Sequence, residues 1–202
     1  MKKLSEISES VWGDIRHKSL GKTIRQEDTW IMDLIKKFCV KHNLKDGDYT
    51  INNDMSVDVY HSIQLYYEDL VDNRIPFKFH KIKGDFRVLN VPLETLENAP
   101  DEVTGDFVIG FTNITNLEGS PRIVGKTFCV NFNKNLVTLD GSPDKVGEDY
   151  KFYSSWNMKD IKGISPEIGR NVVYSYNPGR VPKFSNDDFR SYSNIGGEII
   201  RR

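Results

Sequence analysis

Apolar positions follow two different rhythms along this chain. Up to residue 43 they recur at three- and four-residue steps: Leu4, Ile7, Val11 and Ile15, then Ile31, Leu34, Ile35, Phe38 and His42. That is helical spacing, with one apolar stripe per helix. Beyond Gly84 the rhythm changes. Two apolar residues two apart are followed by a pair three apart, and the block returns every 21 or 22 residues. Residues two apart share one side of a strand. A fixed period of this length predicts a solenoid in which each unit buries its apolar side on its neighbours.

The helical part divides in two. Residues 1–27 read as an N-terminal docking arm. Leu4, Ile7, Val11, Trp12 and Ile15 form its stripe, Gly13 interrupts it, and a polar linker runs from Lys18. So short a helix needs a surface to bury that stripe. Residues 28–48 read as a capping helix. Asp28 or Thr29 opens it, Lys36, Lys37 and Lys41 lie late where the helix dipole favours cations, and Lys45-Asp-Gly-Asp48 closes it as a turn. The array then occupies 49–180, leaving 181–202 as a C-terminal cap or tail.

The units align as Phe86-x-Val88, Phe107-x-Ile109, Phe128-x-Val130, Tyr150-x-Phe152 and Val172-x-Tyr174. Each of the first four is followed by a second apolar pair, Leu93 and Leu96, Ile114 and Leu117, Leu136 and Leu139, or Met158 and Ile161. With Asn133 this approximates the leucine-rich-repeat spacing. Gly-Ser-Pro and Val-Gly segments serve as corners, where glycine permits positive φ and proline fixes φ. The expected fold class is α+β: N-terminal helices followed by a leucine-rich-repeat-like β-solenoid of about five coils with one parallel sheet. The same register lines up three rows on the outer strand face. One is Asp85, Asp106, Thr127, Asp149 and Asn171. Another is Arg87, Val108, Cys129, Lys151 and Val173. The third is Leu89, Gly110, Asn131, Tyr153 and Ser175. Arg87, Leu89, Lys151 and Tyr153 are the candidate contact residues there.

Composition narrows the function. Twenty-eight basic and 29 acidic residues give a net charge of −1, which offers no electrostatic case for nucleic acid. No apolar run reaches the ~20 residues that span a bilayer, and the charged start is not a secretion signal. Cys39 and Cys129 read as reduced thiols, and the four histidines lack metal-ligand spacing. No P-loop, dinucleotide fingerprint or nucleophile elbow is present. The acid pairs Glu148-Asp149 and Asp187-Asp188 read as solvated loop charges, and the aromatics as core and edge packing. The expectation is a protein without catalytic residues or cofactor.

Residues 49–176 resemble a family of short leucine-rich-repeat-like proteins encoded by bacteriophages. The resemblance is carried by Val103-Thr-Gly105-Asp-Phe107, Leu117-Glu-Gly-Ser-Pro121, Val124-Gly125 and Leu139-Asp-Gly-Ser-Pro143. Ser8-Glu-Ser-Val-Trp-Gly-Asp-Ile15, followed by Arg25-Gln-Glu-Asp28, is similar to the arm of such products. The units here are irregular, and most lack the doubled glycine of that family. The resemblance implies a viral origin and a place in the virion or the host cytoplasm. Two roles follow as expectations. One is a virion-associated structural or assembly component whose arm docks on another viral protein. The other is a soluble regulator or inhibitor that binds a host protein through the strand face.

Overall fold

The computed structural model describes residues 26–153, 157–175 and 184–202, with side chains of the first helix described from residue 29. The docking arm therefore lies outside the described residues. Two α-helices, α1 (Gln26–Lys41) and α2 (Asn186–Tyr192), and fifteen short strands make up this part of the chain, with thirteen of the strands between the helices and two after α2. α1 begins two residues before the expected cap at Asp28.

The strands form two sheets rather than the single one expected. The first contains β1 (Tyr49–Ile51), β2 (Val57–Val59), β4 (Phe79–Ile82), β6 (Glu102–Val103), β8 (Ile123–Val124), β10 (Lys145–Val146), β12 (Glu167–Ile168) and β14 (Asn194–Ile195), in that order. The second contains β3 (Ile63–Leu65), β5 (Phe86–Leu89), β7 (Phe107–Gly110), β9 (Phe128–Asn131), β11 (Tyr150–Phe152), β13 (Val172–Tyr174) and β15 (Ile199–Arg201). Every neighbouring pair is parallel except β1 and β2. Each coil gives one strand to each sheet, so the molecule is a parallel β-solenoid. Five coils carry the sequence repeat, and one further strand pair stacks at each end.

The period fixes the core. Phe86, Phe107, Phe128 and Tyr150 are register partners and are fully buried. Their ring centroids lie 5.7, 5.4 and 5.0 Å apart in succession. A second column, Val103, Val124, Val146 and Ile168, belongs to the first sheet. The valines read as corners from sequence are therefore strand residues. Two-residue strands have no alternation to betray them. Leu96, Leu117, Leu139 and Ile161 fill the coil from the return segments. Burying side chains of this size stabilises by roughly 1.5–3 kcal/mol each.

The corners depend on close approach. A Cβ added to Gly147 would sit 2.1 Å from the Gly125 carbonyl oxygen of the preceding coil. Gly141, in the Gly-Ser-Pro turn, has φ +86°, a region that side chains disfavour. Polar residues also enter the interior, among them Thr112 and Asn133. Thr112 N–H and Oγ1 donate to Asn133 Oδ1 (3.0 and 2.8 Å), and Asn133 Nδ2 donates to the Ile109 carbonyl (3.1 Å). Both ends of that amide are thus satisfied, as burial requires.

α1 buries Met32, Ile35, Phe38 and Cys39 on the first coils. Lys41 Nζ donates to Asp69 Oδ1 (2.8 Å), and the Tyr66 N–H donates to Asp69 Oδ2 (2.7 Å). Burial would raise the Asp69 carboxyl, but His42, Lys41 and the Tyr66 amide outweigh it and hold the group below its ordinary value. His42 Nε2 lies 3.2 Å from Asp69 Oδ1. At the other end α2 opens on a capping box: Asp188 N–H donates to Ser185 Oγ (3.1 Å), and Ser185 N–H donates to Asp188 Oδ2 (2.6 Å). Asp188 is thus a helix cap rather than the loose loop charge expected. Phe189 of α2 packs on Tyr174 and Phe152, with centroids 4.9 and 6.3 Å away.

Candidate interaction surface

Strand pairing in the second sheet lines up Arg87, Val108, Cys129, Lys151 and Val173 in one row and Leu89, Gly110 and Asn131 in another, as expected. The acid row has a structural job that sequence reasoning missed. Asp85 N–H donates to Ser62 Oγ (2.9 Å), Asp106 N–H to Asp85 Oδ1 (2.9 Å) and Thr127 N–H to Asp106 Oδ1 (3.1 Å). Farther along, Asn171 N–H donates to Asp149 Oδ1 (3.3 Å) and Glu198 N–H to Asn171 Oδ1 (2.9 Å). Side-chain oxygens thus tie five of the coil junctions at the corner, beside the backbone bonds that the carbonyls of the same row accept. Their spacing of 21 or 22 residues was the available signal.

Asp149 is the most confined of these acids, with its side chain 8% exposed. Arg170 Nε and Nη2 donate to its two oxygens (2.7 and 3.1 Å), and Lys151 Nζ lies 3.0 Å away. Burial pushes this carboxyl up, but Arg170, Lys151 and the Asn171 amide more than offset that and hold it at about 2. It is a fixed anion, not the solvated loop charge expected.

Four candidate contact residues lie in two neighbouring rows. Arg87 and Leu89 share one face of β5, and Lys151 and Tyr153 occupy the matching positions three coils on. Three parallel steps amount to roughly 14 Å, so the two pairs border a patch and do not converge. Arg87 Nη2 is paired with Asp85 (2.7 Å), as Lys151 is with Asp149. Leu89 reaches over Gly110, where an added Cβ would meet its Cδ2 at 3.0 Å. Tyr153 N–H donates to Asn131 Oδ1 (3.1 Å). Between the pairs Cys129 is buried, and burial pushes its thiol up to about 11, well away from a reactive thiolate. Leu4, Ile7, Val11, Trp12 and Ile15 lie outside the described residues.

A fourth row runs just beyond the third. Asn90, Phe111 and Phe132 occupy equivalent positions after their strands, and all three have positive φ, 57°, 57° and 55°. Asparagine tolerates this left-handed region, whereas phenylalanine does so at a cost of roughly 1–2 kcal/mol per residue. The ladder holds them there. Phe111 N–H donates to the Asn131 carbonyl (3.2 Å) and Phe132 N–H to the Tyr153 carbonyl (2.8 Å). Their rings stack at 4.6 Å and 7°, yet the residues are 54% and 45% exposed. Of the expected core and edge packing for such aromatics, this pair belongs to the edge. The spacing of 21 residues between them was visible in the sequence, but an isolated Phe after a strand gave no sign of which way it points.

Among the described residues no three His, Cys, Asp or Glu side chains are placed to hold a metal ion. No helix among them is long and apolar enough to cross a membrane. No protein-family model, curated protein or solved structure matches this chain.

Proposed function

We propose that this protein is non-catalytic and acts by protein–protein contact, as a virion-associated structural or assembly component. In this reading the solenoid is leucine-rich-repeat-like, and its second sheet is the displayed face. The supporting observation is the Phe111–Phe132 stack. Two large apolar rings, about half exposed, are held in a backbone conformation that phenylalanine avoids, beside a parallel sheet. Strain that persists in a well-tied ladder is a mark of function, and aromatic residues are enriched as anchors of protein interfaces. Leu89 and Tyr153 extend the apolar part of the patch, and the ion pairs of Arg87 and Lys151 form its polar border. The viral setting rests on the sequence resemblance, which also gives the arm its role as a tether to a viral structural protein.

The test uses particles produced with the wild-type chain, a chain lacking residues 1–27, and the double variant Phe111→Asn/Phe132→Asn. Asparagine accepts the left-handed backbone, as Asn90 does in the same row. Mass spectrometry of purified virions should find the wild-type chain at fixed stoichiometry and show it depleted for both variants. Wild-type protein absent from virions, but captured stoichiometrically by a host protein through the same two rings, would replace the virion role with that of a host-directed regulator. Particle association indifferent to both variants would refute the contact roles of rings and arm together.

A further inference from the structure

The coil junctions of the second sheet are not all alike. Seven strands make six junctions, and at five of them an N–H of the acid row or its continuation donates to a side-chain oxygen of the preceding coil. The sixth lies between β9 and β11. There the row passes from Thr127 to Asp149, and among the described residues Asp149 N–H makes no such bond to the Thr127 side chain. Three further features change at the same place. β9 and β11 pair over two residues, Phe128 with Tyr150 and Cys129 with Lys151, whereas β5 with β7 and β7 with β9 pair over four. The buried rings are parallel within 8° from Phe86 to Phe128, then tilt by 40° between Phe128 and Tyr150. The repeat lengthens from the 21 residues between Phe107 and Phe128 to the 22 between Phe128 and Tyr150. Coils of unequal length cannot repeat each other's bonds at every position.

In a stack of coils, stability is close to a sum of coil terms and nearest-neighbour junction terms. The junction with a missing tie and a shorter ladder is where cooperativity between neighbours is weakest, and such a boundary separates units that open independently. We propose that this chain consists of two cooperative blocks that meet between β9 and β11, and that the C-terminal block opens while the coils before it stay folded. The N-terminal block is the better held. It stacks three parallel buried rings, and α1 adds Met32, Ile35 and Phe38 to its core. In the C-terminal block the ring column passes from Tyr150 to Val172, and α2 buries Phe189 alone.

The seam runs through the candidate contact patch. Leu89, Phe111 and Phe132 lie on one side of it, and Lys151 and Tyr153 on the other. Phe132 N–H donates across it to the Tyr153 carbonyl (2.8 Å), a bond that helps to hold Phe132 at φ 55°. Opening therefore carries Lys151 and Tyr153 away and releases the second ring from its strained backbone. The patch is complete only while the seam is closed, and a partner that touches both sides stabilises the closed form. This consequence rests on the contact role proposed for the patch; the opening itself does not.

Native-state amide exchange of the 202-residue chain, followed residue by residue by NMR with no partner present, tests the two blocks. Five equivalent amides, those of Phe86, Phe107, Phe128, Tyr150 and Val172, each donate to a carbonyl of the following coil, at Asp106, Thr127, Asp149, Asn171 and Glu198 in turn. Phe128 belongs to the N-terminal block but donates across the seam. Phe128, Tyr150 and Val172 should share one protection factor, and Phe86 and Phe107 should be protected at least roughly tenfold more. Thr127→Asn offers Asp149 N–H the amide oxygen that Asn171 offers Glu198 N–H. It should raise the protection of Phe128, Tyr150 and Val172 about fivefold. Asp106→Ala removes a tie inside the N-terminal block. It should lower Phe86 and Phe107 about fivefold and leave the other three unchanged. One protection factor common to all five amides, a step at any other place in the series, or a Thr127→Asn chain with Phe128 unchanged overturns the proposal. Each of those results leaves the contact reading standing, and virions that lack the chain would remove that reading without touching the blocks.

Discussion

Two aromatic series run through this molecule with the same period and opposite fates. Phe86, Phe107 and Phe128 stack at 5.7 and 5.4 Å with ring planes within 8°, and none touches solvent. Phe111 and Phe132 stack at 4.6 Å and 7°, and about half of each residue is exposed. A repeat therefore aligns side chains in columns whatever they are for. The inner column begins each strand of the second sheet with ordinary extended backbone and removes apolar surface from water. The outer pair follows its strands, reverses the sign of φ and returns the rings to water. One column holds the coils together, and the other is carried by them. The difference separates what the period builds from what it displays.

The inner column should be the most sensitive to change. Phe107→Ala leaves a void touching the coils on both sides. Denaturant unfolding should show a loss of about 3–5 kcal/mol, as for large core truncations in general. A loss below about 1 kcal/mol would mean that the column does not carry the stack. Next in size are the corners that keep successive coils close. Gly147→Ala would force its new methyl against the Gly125 carbonyl, and about 2–3 kcal/mol should be lost by the same measurement.

The acid row precedes the inner column by one residue and links stability to pH. The Asp149 carboxyl sits at about 2 in the folded chain, against 3.8 for an ordinary aspartate. A group whose folded value is lowered stabilises the fold when ionised. Its contribution is complete above about pH 4 and disappears as pH falls towards 2. The expected loss across that window is on the order of 2 kcal/mol. Asp149→Asn should lower stability at neutral pH and flatten the acid limb of the stability curve. An unchanged acid limb would show that Arg170 and Lys151 do not hold this carboxylate.

Much of this was legible beforehand, and the reasons for the misses are specific. The column from Phe86 to Val172 and the three outer rows could be read because a 21- or 22-residue period survives substitution of individual residues. The first sheet could not, because Glu102–Val103, Ile123–Val124 and Lys145–Val146 are too short to alternate. α2 was hidden for a related reason. Seven residues with Phe189 as the one buried residue have no stripe, although Ser185-Asn-Asp-Asp188 spells its capping box. The acids of the corners looked like surface charge because their partners are backbone amides one coil away, a relation visible only once the coils are stacked. That Phe111 and Phe132 point outward was not legible, because composition alone puts phenylalanine inside by default. Burial depends on where the backbone turns, and that is set by φ at a single residue.

The outer pair should respond least. Replacing both rings with asparagine removes the stacking, worth ~0.5–1.5 kcal/mol, and also relieves the left-handed strain. The two effects oppose each other, so stability should move by less than about 1 kcal/mol while the exposed apolar patch disappears. A loss as large as that of Phe107→Ala would place these rings in the core rather than on the display face.

Ring-to-ring nuclear Overhauser contacts in the chain with labelled phenylalanines test the stacked columns most directly. Phe107 should contact both Phe86 and Phe128, and Phe111 should contact Phe132, with no contact between Phe86 and Phe128. A Phe107 ring near neither neighbour, or antiparallel strand contacts anywhere between residues 86 and 174, would contradict the coiled stack and remove the surface it presents.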